Sequence, residues 1–176
     1  MKLFFRDRLR MLQDDPRARL TKAGLTAGMR VADLGAGKGL YSLFAASIVG
    51  PEGAVYAVEP DSLRSAAIAR RAADERLANV KVLTTGAEDL REIPSSTIDI
   101  AFALNSIHHF RDKTVAFAEV NRVLKAGGRF YVRDLVRSWL TMHGTAREEI
   151  PNLPLAGFSS KAVEVTRTRL EAWFTK

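Results

Sequence analysis

Val31-Ala32-Asp33-Leu34-Gly35-Ala36-Gly37-Lys38-Gly39 is an apolar strand that runs into an acid and then into three glycines on alternate positions. Glycine lets the backbone approach a ligand and take turns closed to other residues. The segment that follows, Leu40 to Val49, reads as a helix whose unpaired N–H groups and positive end face the same spot. Together these features describe a loop that holds a cofactor. Two other glycine loops are excluded. A Walker A loop needs G-x-x-x-x-G-K-[ST], yet Gly39 follows Gly37-Lys38 here and Ala32 stands where the first glycine belongs. A dinucleotide fingerprint needs G-x-G-x-x-G, whereas this loop is G-x-G-x-G with Asp33 two residues ahead of it.

Outward from the loop, strand and helix patterns alternate. Strand signals fall at 29–34, 54–59, 80–84, 98–105 and 128–135, and helical stretches lie between them at 40–49, 62–77 and 112–124. Asp112 can cap the last helix, with Phe117, Val120 and Leu124 on one face and Gly127-Gly128 ending it. Such alternation with short connections predicts a parallel sheet with helices on both faces. Ahead of it, Phe5, Leu9 and Leu12 predict an amphipathic helix over 2–13. Asp15-Pro16 reads as N-cap and first helical position, with a stop at Gly24. The tail changes rhythm. Residues 162–169 alternate, and 170–176 form a second strand candidate directly after them, which predicts an antiparallel hairpin whose turn carries no glycine.

The length of 176 residues fits one domain, 1–176, opened by a helical segment over 1–28. No apolar run is long enough to span a membrane, and charge interrupts Met1 to Arg6 too early for a signal peptide. With no cysteine, disulfides, thiolate ligands and a thiol nucleophile are excluded, and a cytoplasmic enzyme is expected. The net charge of +7 is uneven. Residues 1–30 hold eight Lys/Arg against three acids, and 161–176 hold four against two, leaving the centre neutral. Basic ends could dock an anionic partner such as RNA, or simply solvate a helix surface.

In an open α/β sheet, ligands bind beyond the carboxyl ends of the strands. The acids of the neutral centre fall there: Asp33 after the first strand, Glu59 after the second, Glu88-Asp89 after the third. Carboxylates suit a cationic ligand or a ribose diol better than a pyrophosphate. The pattern D-x-G-x-G-x-G resembles motif I of the class I S-adenosylmethionine-dependent methyltransferases. Val55 to Asp61 resembles that family's second strand, Gly86-Ala87-Glu88-Asp89-Leu90 its adenine loop, and Val123 to Phe130 the turn before its fifth strand. Ile98 to Phe110, with Asn105-Ser106-Ile107-His108-His109, is similar to motif IV of the small-molecule type that acts in menaquinone and ubiquinone biosynthesis.

The resemblance implies an α/β, Rossmann-like, seven-stranded and mostly parallel sheet closed by a C-terminal antiparallel hairpin. It also implies S-adenosylmethionine as cofactor and a small-molecule acceptor. Asp33 and the backbone of Gly35, Ala36, Gly37 and Gly39 would lie against the methionyl end. Glu59, followed by Pro60, would take the ribose, Ala87 and Glu88 the adenine edge, and Asn105 the methionine side near the methyl. Plainer readings stay open: Asp33 as a helix cap, Glu59 as a solvated acid, Glu88-Asp89 as a surface turn. His108 and His109 are the candidates for a base, against the plainer reading that one packs on the sheet edge and the other faces solvent or bonds a backbone carbonyl. As adjacent histidines without a carboxylate at ligand spacing they are no metal site.

Asn105-Ser106-Ile107-His108 stands where an Asn-Pro-Pro-Tyr motif would mark methylation of DNA adenine or glutamine. In this family the acceptor is chosen by the N-terminal segment and the loop after the fifth strand, here 136–157. Pro151 and Pro154 break helix there, and Trp139, Met142 and His143 are candidate pocket residues. Two further readings compete with the small-molecule enzyme. One is an RNA or protein methyltransferase that docks through its basic ends, and the other is a non-catalytic cofactor-binding subunit.

Overall fold

The computed structural model describes residues 15–137 and 143–176. The amphipathic helix expected over 2–13 and the pocket candidates Trp139 and Met142 lie outside the described residues. The elements run α1 (Pro16–Lys22), β1 (Arg30–Leu34), α2 (Leu40–Val49), β2 (Ala54–Val58), α3 (Ser62–Asp74) and β3 (Val80–Leu83). After them come β4 (Ile98–Leu104), a short 3-10 turn (Ile107–His109), α4 (Lys113–Val123), β5 (Leu124–Leu135), a second 3-10 turn (Arg147–Glu149), β6 (Ser160–Val165) and β7 (Arg169–Thr175).

The seven strands form one sheet in the order β3-β2-β1-β4-β5-β7-β6. The first five strands pair in parallel, and β7 enters antiparallel between β5 and β6. Alternate residues of each strand feed opposite cores, as a side-chain period of two requires. Val31, Val55, Ile100, Phe102 and Tyr131 join Leu20, Ala45, Ala46 and Val49 of α1 and α2 on one face. Ala32, Leu34, Val58, Ala101, Ala103, Phe130 and Val132 meet Phe117, Val120 and Val123 of α4 on the other. Strands covered on both faces explain why their sequences read as apolar runs rather than alternations. The strand order reverses between β1 and β4, so the ends of these two strands flank the crevice where such sheets bind ligands.

Local chemistry sets the boundaries. Asp15 caps α1 by accepting the Arg17 N–H at 2.9 Å. Asp112 caps α4 by accepting from the N–H groups of Thr114 and Val115. Helix α3 stops at Asp74, three residues short of the expected end, because Arg76 takes φ 56° and turns the chain out of the helix.

Two expected boundaries are corrected. Helix α4 ends at Val123, and Leu124 is already extended and paired with Ile98. Gly127-Gly128 lies inside β5, where the register with β4 jumps from Leu124 to Arg129 between Ile98 and Ile100. A side chain on Gly128 would meet the carbonyls of Lys125 and Ile98, so these glycines shape a bulge and do not stop the helix. In the hairpin, Arg169 opens β7 instead of closing β6. Thr166 substitutes for a turn glycine: its N–H donates to the Arg169 carbonyl at 2.8 Å and its hydroxyl accepts the Arg169 N–H at 3.0 Å. No helix among the described residues is long and apolar enough to cross a membrane.

Candidate functional site

The loop between β1 and α2 is seated on the ends of its neighbouring strands. Gly35 and Ala36 donate their N–H groups to the Val58 carbonyl at 2.9 and 3.0 Å, and Gly39 donates to Ala36. Gly37 donates to Glu59 Oε2 at 2.7 Å. Gly35, Gly37 and Gly39 all take positive φ, between 60° and 80°. Gly35 also lacks room, since a Cβ would sit 2.5 Å from Ser106 Cβ, whereas a Cβ on Gly37 would face open space. The loop carbonyl of Lys38 accepts from Arg71 of α3 at 2.6 Å. Four of the loop's N–H groups are therefore spent inside the protein and are not left for a phosphate.

Two acids lie beneath this loop. Asp33 is buried, and its Oδ2 accepts the Ser42 hydroxyl of α2 at 2.6 Å. Burial pushes its carboxyl up to about 7; the Ser42 bond opposes this and the nearby Glu59 charge adds to it. Glu59, also buried, accepts from Gly37 and from the Asp61 N–H, while the Ser65 hydroxyl holds its carbonyl. Pro60 beside it is exposed.

The end of β4 closes onto the same loop. Ser106 donates its hydroxyl to the Leu34 carbonyl at 2.6 Å. Asn105 adopts φ 57°, a conformation asparagine tolerates better than most residues. Its N–H donates to the Arg133 carbonyl, and its side chain makes no hydrogen bond with the described residues.

Asp33, the glycine loop, Glu59 and Asn105 thus form one connected crest. The third loop joins it less directly. Ala87 is buried, and Glu88 accepts the backbone N–H groups of Arg111 and Asp112, so its carboxylate braces the start of α4.

The two histidines part ways: His109 faces solvent, as the plain reading expects, and His108 departs from it. His108 Nδ1 lies 2.9 Å from both carboxylate oxygens of Asp134 at the end of β5. His109 is exposed, and partial burial of its ring, with the His108 charge beside it, holds its imidazole below the ordinary value. His143 is exposed. A cleft of about 540 Å³ lies at the opposite end of the strands, where β2 and β3 begin, around Ser47, Gly50, Arg76 and Asn79. It carries no acid, and Asn79 already fills the carbonyls of Ala46 and Gly50.

Residues 32–132 match the methyltransferase domain family. The chain belongs to it. Its sequence family and sheet order are those of the class I, S-adenosylmethionine-dependent methyltransferases. Over 117 residues it is 34% identical to the ubiquinone/menaquinone biosynthesis C-methyltransferase of a Marinomonas species, an overlap of 64% of this chain and 45% of that protein. Over 125 residues it is 30% identical to the protein of the same name from Chromobacterium violaceum, covering 68% of this chain and 48% of the relative. The chain therefore spans just under half the length of the curated relatives it matches. A SAM-dependent methyltransferase from Aquifex aeolicus shares the fold with a TM-score of 0.80 at 23% identity, over 98% of this chain and 99% of its own.

The methyltransferase crest fits its cofactor chemically. S-adenosylmethionine carries a sulfonium and an ammonium against one carboxylate, and the buried Asp33 and Glu59 offer acceptors for cationic and hydroxyl groups. The open space at Gly37 leaves a cradle that any Cβ would enter. Three parts of the methyltransferase site escaped the sequence reading. Arg71 and Ser106 act through backbone contacts that leave no pattern in the chain. Asp134 did leave one: it is an acid closing an apolar strand, the same signal that marked Asp33 and Glu59.

Proposed function

We propose that this methyltransferase methylates a small-molecule acceptor. Asp33 and the Gly35–Gly39 backbone would receive the methionyl end and Glu59, with Pro60, the ribose. Ala87 and Glu88 would border the adenine, and Asn105 would reach the methionine near the methyl. The observation that carries this reading is the pair of buried carboxylates under a glycine loop whose N–H groups are already bonded within the protein. That donor set favours a cation and a diol over a diphosphate.

S-adenosylmethionine, when bound, supplies a methyl group on a positively charged sulfur. The chain's own contribution is alignment. Asp33 is fixed by Ser42, Glu59 by its backbone contacts, and Asn105 by the turn that seats Ser106 on Leu34. Holding an acceptor in line with a reacting group is worth roughly 7–11 kcal/mol of barrier. The relatives named as C-methyltransferases support carbon as the methylated atom.

Docking of RNA through the basic ends finds less support. Arg19 and Lys22 of α1 both pair with Glu171, at 2.7 and 2.9 Å, so part of the basic charge there is already compensated. A chain without cysteine that uses a water-soluble cofactor fits the cytoplasm.

Thermal shift and titration calorimetry test the reading. S-adenosylmethionine should raise Tm and bind with one-to-one stoichiometry, while NAD leaves Tm unchanged. The reverse pattern would refute it. S-adenosylhomocysteine release across an acceptor library then identifies the substrate.

A further inference from the structure

Asp134 closes β5 fully buried, and its carboxylate collects four donors. These are the Leu135 N–H at 2.8 Å, the Thr145 hydroxyl at 2.9 Å, the His108 backbone N–H at 3.2 Å and His108 Nδ1 at 2.9 Å. Because one carboxylate binds both the ring and the backbone of His108, the imidazole is fixed in position and in plane. A carboxylate only accepts, so Nδ1 is the donor and the neutral ring keeps its lone pair on Nε2. No hydrogen bond of Nε2 is formed with the described residues. The side chain is 14% exposed, screened from bulk water without being sealed from it.

The position of this pair matters as much as its geometry. His108 follows Asn105 by three residues, in the turn that Ser106 pins to the glycine loop. Strands β4 and β5 run side by side up to Leu104 and Arg133, so the pair spans the crest next to the proposed methyl position. Thr145 arrives from the loop after β5, the segment expected to select the acceptor. The groups facing His108 are Asp134 and Thr145 from the β5 side and the His109 ring at 4.0 Å, with Arg64 and His143 acting on His109 from outside. Among the described residues His109 has no carboxylate within hydrogen-bond reach, and it stands exposed.

We infer that His108 is the catalytic base that takes a proton from the methyl acceptor, that Asp134 and Thr145 are its positioning residues, and that the acceptor is a hydroxyl or a carbon acid. The inference rests on the proposed methyl transfer. A tertiary amine or a thioether offers a free electron pair and would make this apparatus idle. With a hydroxyl or acidic C–H, the proton passes to His108 Nε2. The freed electron pair forms the bond to the methyl carbon, and the pair of the broken carbon–sulfur bond stays on sulfur. The imidazolium is then held against the Asp134 carboxylate until water removes the proton.

Three measurements on the full chain test this. Nitrogen-15 NMR of the ligand-free protein at pH 8 should show His108 protonated at Nδ1 and bare at Nε2, and Asp134→Asn should reverse the tautomer. A wild-type ring protonated at Nε2 would overturn the inference. His108→Asn keeps a donor near Asp134 but has no Nε2, so its Tm and S-adenosylmethionine affinity should match wild type. Its S-adenosylhomocysteine release with catechol or acetylacetone should fall about 100- to 10,000-fold. The acid limb of the wild-type pH profile should vanish with it, and release with N,N-dimethylaniline should be negligible in both proteins. Full activity of His108→Asn would overturn the inference, as would release from the amine alone or from none of the three probes by a wild type that binds S-adenosylmethionine. Failure of the wild type to bind S-adenosylmethionine would instead refute the methyl-transfer reading.

Discussion

Ser106 and Gly35 touch across the crest: a Cβ on Gly35 would lie 2.5 Å from Ser106 Cβ, while the Ser106 hydroxyl holds the carbonyl of the preceding Leu34. The first turn of the loop is therefore built against the segment that carries Asn105. Gly35→Ala adds both the strain of φ 75° in an L residue, about 1–3 kcal/mol, and a clash that must move backbone. A drop in Tm of several degrees and a loss of S-adenosylmethionine affinity beyond tenfold are expected. Gly37→Ala meets no atom of the described residues within 4 Å, so it should cost less stability yet still block the cradle. Scanning calorimetry and isothermal titration separate the two effects. Equal Tm losses in both variants would contradict the packing argument.

Asp33 gives the protein a pH signature. Its carboxyl titrates near 3.8 when unfolded and about 7 when folded, chiefly because it is buried. The native chain therefore binds the extra proton between these values. The associated stability is complete below pH 3.8 and is lost as pH rises through 7. Asp33→Asn removes the charged form, so its Tm relative to wild type should climb from pH 4 to pH 7 and level off above. Cofactor binding should run the other way. A cationic ligand favours the ionised carboxylate, so binding at pH 6 should release a proton, seen as a buffer-dependent enthalpy in calorimetry. Binding without proton release at that pH would remove Asp33 from the cationic end of the cofactor.

Glu59 has two tasks that substitution can separate. Its Oε2 anchors the Gly37 N–H, and Oε1 accepts from Asp61. Glu59→Ala loses both the anchor and the proposed ribose contact, and a lost charged hydrogen bond is worth about 1.5–3 kcal/mol of affinity. Glu59→Gln keeps one acceptor for Gly37 and should hold Tm near wild type while still weakening the cofactor. Unchanged affinity in both variants, by titration calorimetry, would end the ribose assignment.

The parallel core was readable from the chain because doubly covered strands must be apolar and because Asp15 and Asp112 mark helix starts with their own side chains. Gly127-Gly128 misled for a physical reason. Glycine ends helices and also permits bulges, and only the partner strand shows which role applies. The hairpin turn was hidden because Thr166 does a glycine's work with its hydroxyl. In the site, Asp33 and Glu59 stood out as acids ending apolar strands. The partnership of His108 with Asp134 did not, since 26 residues separate them and only the β4–β5 register brings them together.

Glu171 ties the first described helix to the last strand. Its carboxylate binds Arg19 at 2.7 Å and Lys22 at 2.9 Å of α1, and lies 3.6 Å from Arg133 Nε of β5. Partial burial pushes its carboxyl up, but Lys22, Arg19 and Arg133 together outweigh this and hold it below the usual carboxylate value. A depressed acid contributes stability that is present above its unfolded pKa and is lost as pH falls through the folded one. Glu171→Gln should therefore destabilise at neutral pH by about 1.5–3 kcal/mol, the worth of a hydrogen bond to a charged group. Its deficit against wild type should shrink on acidification, as the wild-type carboxyl itself takes up a proton. Chemical denaturation at pH 7.5 and again at acid pH measures both quantities. A deficit that stays constant across that range would mean that α1 is held by packing of Leu20 and not by this carboxylate.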